Sequence, residues 1–141
     1  MRPKVKRREN AITLLELAVP VGRPSSWRPE LRGALDQRVD ASLMDDIVIA
    51  AAELVANALE HGSGEVGVSV GLLGDGAVLV RVSDASDEGP VPSGARVDAL
   101  RGRGLTMVGA LASEWGVDKL SSGKTVWAKF DVPNAGAVET A

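Results

Sequence analysis

The chain has 141 residues, 45% hydrophobic and 25% charged, with a formal net charge of −3, the size and balance of one globular domain with a single core. With no cysteine and one histidine, disulfide scaffolds, thiol catalysis, cysteine-ligated zinc and multi-histidine metal centres are all excluded. The low aromatic content, 3% and without tyrosine, argues against a base-stacking nucleic-acid surface.

Residues 1–11 read as a basic arm. Arg2, Lys4, Lys6, Arg7 and Arg8 leave residues 9–141 with 11 basic against 19 acidic side chains. Such an arm could touch a polyanion, but a solvated terminus is the plainer account of it. The acidic remainder argues against direct nucleic-acid binding. No apolar stretch follows that could serve as a signal-peptide core or a membrane span, so a cytoplasmic chain without membrane contact is expected.

Ile12 to Val19 is apolar and predicts a first strand, ended by Pro20. Ser25 or Ser26 is placed to cap a helix running to about Val39, with Pro29 tolerated in its first turn. A second helix is expected from about Leu43 to Glu60, with Leu43, Ile47, Ala51, Leu54 and Ala58 at helical spacing. His61-Gly62-Ser63-Gly64 stops it. Alternating valines at 66, 68 and 70, and again at 78, 80 and 82, predict two strands joined by Gly74-Asp75-Gly76. From Asp84 to Arg103 there is no periodicity, which predicts a long functional loop or lid with at most one helical turn near Val97 to Leu100. Leu105 to Ser113 then reads as a helix, and Trp115 to Leu120 and Val126 to Val132 as two strands about Ser121-Ser122-Gly123. The tail after residue 132 looks frayed. The expected class is α+β, a two-layer sandwich of a mostly antiparallel, mixed sheet with helices on one face, spanning residues 12–132.

Three patches carry chemistry. Glu53, Asn57 and His61 recur every four residues and stack along one side of the second helix. An amide oxygen there suits Mg²⁺ bound through phosphates, and a carboxylate one turn earlier could take a proton from a nucleophile. A solvated helix face ending at Gly62 explains the same spacing. Asp84, at a strand end, could accept a hydrogen bond from an amino group or could bond its own loop backbone. Arg101-Gly102-Arg103-Gly104-Leu105, where loop gives way to helix, could present backbone N–H groups and a guanidinium to phosphate, or could be a lid hinge. Two other motifs fail. Gly123-Lys124-Thr125 lacks the first glycine of a phosphate-binding loop, since residue 118 is Asp118, and a β-rich segment follows it. Gly102-Arg103-Gly104 lacks the third glycine of a dinucleotide fingerprint, since Met107 stands there.

The order of the patches is more specific than any one of them. Glu53-x-x-x-Asn57-Ala58-x-x-His61-Gly62, two strands ending in Asp84, a long loop, Gly102-Arg103-Gly104-Leu105, a short helix and Gly123-Lys124-Thr125 together resemble the GHKL (Bergerat-fold) ATP-binding domains. Within that superfamily the chain looks most like the small anti-sigma-factor serine/threonine kinases of actinobacterial type. The segments Leu111 to Gly116 and Gly123 to Ala128 are similar to the closing part of that group. The resemblance implies ATP and Mg²⁺ as ligands, with Asn57 holding Mg²⁺ against the triphosphate and Glu53 activating a hydroxyl. By the same resemblance His61 closes that box and Asp84 receives the adenine amino group. Gly102, Arg103, Gly104 and Leu105 surround the phosphates, and Thr125 lies beside the adenine. Where the family's glycine box reads Asp-x-Gly-x-Gly, this chain has Ser86 and Glu88 at the glycine positions. The implied function is phosphorylation of an anti-anti-sigma-type antagonist, with a sigma factor as second partner and a homodimer as the assembly. The alternative is a nucleotide-sensing or partner-binding module on the same fold, without turnover.

Overall fold

The computed structural model describes residues 10–86 and 99–133, with residues 99–104 described in backbone only. The basic residues of the arm and the tail from residue 134 therefore lie outside the described residues, as does the middle of the expected lid. The elements run β1 (Ile12–Ala18), α1 (Trp27–Leu35), α2 (Ala41–His61), β2 (Gly67–Leu72), β3 (Val78–Asp84), α3 (Ala99–Leu111), β4 (Glu114–Leu120) and β5 (Gly123–Phe130).

The five strands form one sheet in the order β1-β2-β3-β5-β4, and all four neighbouring pairs are antiparallel. This corrects the expectation of a mixed sheet. β3 and β4, joined through α3, point the same way, but β5 lies between them and pairs antiparallel with both. The connection has the form of a parallel crossover without making a parallel pair.

Strand alternation then sorts the residues onto two faces. Val68 and Val70, Val80 and Val82, and Val126, Ala128 and Phe130 turn to one side and join the buried residues of the helices in one core. At about 1.5–3 kcal/mol for each fully buried large apolar side chain, this layer is the main favourable term in folding. The other face carries Ser69, Arg81 and Thr125. It also holds a small separate cluster of Leu73, Ala77, Leu79 and Trp127.

Helix α1 buries Trp27, Leu31 and Leu35, spaced four apart as a one-face stripe requires. Helix α2 begins two residues before the sequence expectation because Asp40 is its N-cap, accepting from the Leu43 N–H at 2.8 Å. It buries nine residues, Met44, Ile47, Val48, Ala50, Ala51, Leu54, Val55, Asn57 and Ala58. So broad a buried face follows from packing against both the sheet and α3. Its last turn closes where the Gly62 N–H donates to the Ala58 carbonyl at 2.8 Å.

Candidate functional site

The C-terminal half of α2 carries the first patch, and the structure changes how it reads. Glu53 is half-buried, Asn57 is buried at 8% exposure, and His61 is exposed. Asn57 is thus not on a solvated face. Its Oδ1 is buried with no hydrogen-bond partner among the described residues. An orphaned buried amide oxygen costs about 1–3 kcal/mol, and native structures avoid such groups unless a ligand or water completes them. A hard, neutral oxygen held dry and unpaired fits a Mg²⁺ ion that keeps most of its ligands as phosphate and water. Among the described residues no three His, Asp or Glu side chains cluster as a protein-only metal site.

Asp84 closes strand β3 beneath the end of α2. A Cβ on Gly62 would overlap the Asp84 carboxyl carbon, so only glycine lets the helix end come down onto this carboxylate. The Ala85 N–H donates to the Ser63 carbonyl at 2.8 Å and fixes the two segments together. On the far side is Gly123, at φ +147°, where a Cβ would strike the Asp84 carbonyl oxygen. Three elements, α2, β3 and β5, therefore meet at this one side chain. Sequence reading gave Asp84 two roles, and part of the local one is present: its Oδ1 accepts from the Ser86 N–H at 2.7 Å.

The larger finding at Asp84 is its partner. Lys124 Nζ donates to Oδ2 at 2.8 Å and to Oδ1 at 3.1 Å, and the two side chains are 3% and 1% exposed. Sequence reading passed over Lys124 and placed Thr125 beside the base. That placement is corrected by the period of a strand. Asp84 pairs with Lys124, and Thr125 pairs with Ser83, so Thr125 points to the opposite face of the sheet. There it lines an open cavity of 480 Å³ with Glu16, Ser69, Arg81 and Ser83. The signal that could have found Lys124 was available: counting two-residue steps from the core residues Val126 and Ala128 puts 124 on their face.

The third patch is also corrected. Helix α3 starts at Ala99, so Gly102, Arg103 and Gly104 lie inside it rather than at the junction of loop and helix. Only the first four N–H groups of a helix are left without internal partners. The amides of Gly104 and Leu105 therefore fall among those engaged within the helix, whereas sequence reading had offered them to phosphate. Leu105 packs half-buried against the main core, and α3 lies against α2. The Arg103 side chain and the glycine-box positions Asp87 and Glu88 lie outside the described side chains.

An antiparallel sheet covered on one face by helices, with an orphaned asparagine on the central helix and a buried aspartate at the adjoining strand end, defines an α+β sandwich of the GHKL ATPase type. Residues 25–130 match the histidine kinase-like ATPase domain family, and the chain belongs to it. Among solved structures, the RsbU and RsbW domains of Rv1364c from Mycobacterium tuberculosis are similar at 28% identity and TM-score 0.63. That match covers 84% of this chain and 32% of the other, so the chain spans about a third of that protein's length. The SiaB–SiaC complex from Pseudomonas aeruginosa is similar in fold, at TM-score 0.66 and 17% identity over 92% and 96% of the two chains. A histidine kinase domain from the Erythrobacter litoralis blue-light-activated kinase EL346 matches at TM-score 0.55 and 13% identity, over 82% and 62%. Comparison with functionally characterised proteins by sequence gave no match. Among the described residues no helix is long and apolar enough to cross a membrane.

Proposed function

We propose that the protein binds Mg·ATP at the C-terminal end of α2, where β3 and β5 meet it, and transfers the γ-phosphoryl group to a serine or threonine of an anti-anti-sigma-type antagonist. The observation that carries this reading is the orphaned Asn57 Oδ1. Family membership supports ATP as the nucleotide, and the likeness to an RsbW domain and to the SiaB–SiaC complex supports a protein antagonist as the acceptor. The sigma factor as second partner, the homodimer and the cytoplasmic location belong to the same proposal.

In this reading Asn57 holds the metal through its amide oxygen, and Asp84 receives the adenine amino group. Mg²⁺, when bound, neutralises charge on the triphosphate and on the departing diphosphate. Glu53 lies one turn before Asn57 on the same side of α2, about 6 Å back along the helix axis. It takes the proton of the acceptor hydroxyl as that oxygen bonds to the γ-phosphorus and the bond to the bridging oxygen breaks, releasing ADP. His61, exposed one turn beyond Asn57, stands at the outer end of the same row. Such catalysis rests mainly on positioning and charge stabilisation. Incubation with γ-labelled ATP and candidate antagonists tests it. Label on the antagonist, lost in Glu53→Ala with Mg·ATP affinity retained, is the expected result; transfer unchanged in Glu53→Ala contradicts the assigned role.

One observation favours a second reading, a nucleotide-sensing module without turnover. The glycine box is altered at Ser86, whose N–H is tied to Asp84, and binding without transfer to any antagonist is its signature.

A further inference from the structure

Lysine is almost never fully buried without a partner, and a buried ion pair contributes little net stability compared with apolar residues of the same shape. The pair formed by Lys124 and Asp84 is dry on both sides. It also sits where α2, β3 and β5 converge, rather than in the middle of the core.

The donor and acceptor inventory shows what this pair has left to offer. A carboxylate has about four acceptor sites. At Asp84 three are engaged, by the Ser86 N–H and by two contacts from Lys124, and the remaining one is on Oδ2. An ammonium has three N–H donors, and two of those of Lys124 go to Asp84. Among the described residues the pair therefore has one acceptor and one donor left over. Adenine offers the complement along its Watson–Crick edge: an amino donor next to the ring nitrogen N1, an acceptor. A lone carboxylate could satisfy the amino group and nothing else, because it has no proton to give N1.

We infer that Lys124 is a base-reading residue, donating to adenine N1 while Asp84 accepts from the amino group. The inference rests on the nucleotide reading of the site. It adds a specificity determinant that Asp84 cannot supply alone. Because both groups are dry, a base that leaves either one unpaired faces a desolvated charge and binds more weakly.

The test is calorimetric titration of the wild-type chain with Mg²⁺ and ATP, 1-deaza-ATP or 7-deaza-ATP. Replacing N1 by carbon is expected to weaken binding roughly tenfold, the effect of one hydrogen bond to a charged donor. Replacing N7 is expected to change it less than about twofold, since that edge is not read. In Lys124→Met the gap between ATP and 1-deaza-ATP closes. Lys124→Gln, which keeps an N–H for Asp84 without the reach or the charge, serves if the methionine variant does not fold. Equal wild-type affinity for ATP and 1-deaza-ATP overturns the inference and leaves the nucleotide reading standing. A gap that persists in the folded Lys124 variants, or a loss confined to 7-deaza-ATP, overturns it as well. Failure of the wild-type chain to bind Mg·ATP at all overturns the nucleotide reading, and the inference with it.

Discussion

Asn57 combines two properties that are rarely found together: it lies in the buried stripe of the central helix, and its amide oxygen has no partner among the described residues. A residue kept for stability would not have this character. Asn57→Ala removes the desolvated amide and raises helix propensity, gains of about 1 kcal/mol each that offset the small cavity left behind. Chemical denaturation of the ligand-free variant is therefore expected to give a stability within about 1 kcal/mol of wild type. A loss above about 3 kcal/mol would make Asn57 an ordinary structural residue. Gly62 behaves oppositely. A methyl group there meets the Asp84 carboxyl carbon and the Ala58 carbonyl, so Gly62→Ala is expected to lose about 1–3 kcal/mol through overpacking and to weaken Mg·ATP binding with it. Unchanged denaturation midpoints would show that the helix end does not rest on Asp84. Of these side chains, Asn57 and Asp84 were singled out in the sequence through the order of the three patches and not through either spacing alone, which a polar helix face and a loop aspartate explain equally. Lys124 was not, since its meaning depends on a strand partner forty residues away.

At the level of elements, α2 is the part the sequence specifies best. Its apolar spacing and its Gly62 stop point the same way, and the first turn was set two residues late because Asp40 is the cap and not a break before the helix. Asp40→Ala removes the oxygen that accepts the Leu43 N–H; the expected loss is about 1 kcal/mol in thermal unfolding, with nucleotide affinity unchanged because the cap is at the far end of the helix. No measurable loss would mean that water replaces the cap fully. Helix α3 was the least legible. Gly102 and Gly104 read as loop chemistry, yet each glycine in a helix costs only about 1 kcal/mol relative to alanine, which packing against α2 can override. Strand β5 shows a further limit: the strand was predicted and alternation from Val126 puts Lys124 on the core face, but its place opposite Asp84 depends on the register with β3.

For the whole molecule, the alternating valines and the helical stripes were enough to define a sheet with helices on one side. What the pattern could not give was strand order. The position of β5 between β3 and β4 comes from long-range pairing, and it is this insertion that carries Lys124 to Asp84. The site is therefore a product of topology, assembled from a helix end, a strand end and a strand start. Anything that binds all three should stabilise the fold: at about 100 times its dissociation constant, Mg·ATP is expected to add about 2.7 kcal/mol and raise the melting temperature by several degrees. Absence of a shift at saturation would separate the ligand from these elements. The most direct measurement is a titration of wild type and Asn57→Ala with ATP in the presence of Mg²⁺. Saturable binding by wild type and at least a roughly tenfold weaker affinity in the variant, about 1.4 kcal/mol, are expected; equal affinity in two folded proteins would rule out Asn57 as the residue that holds the metal.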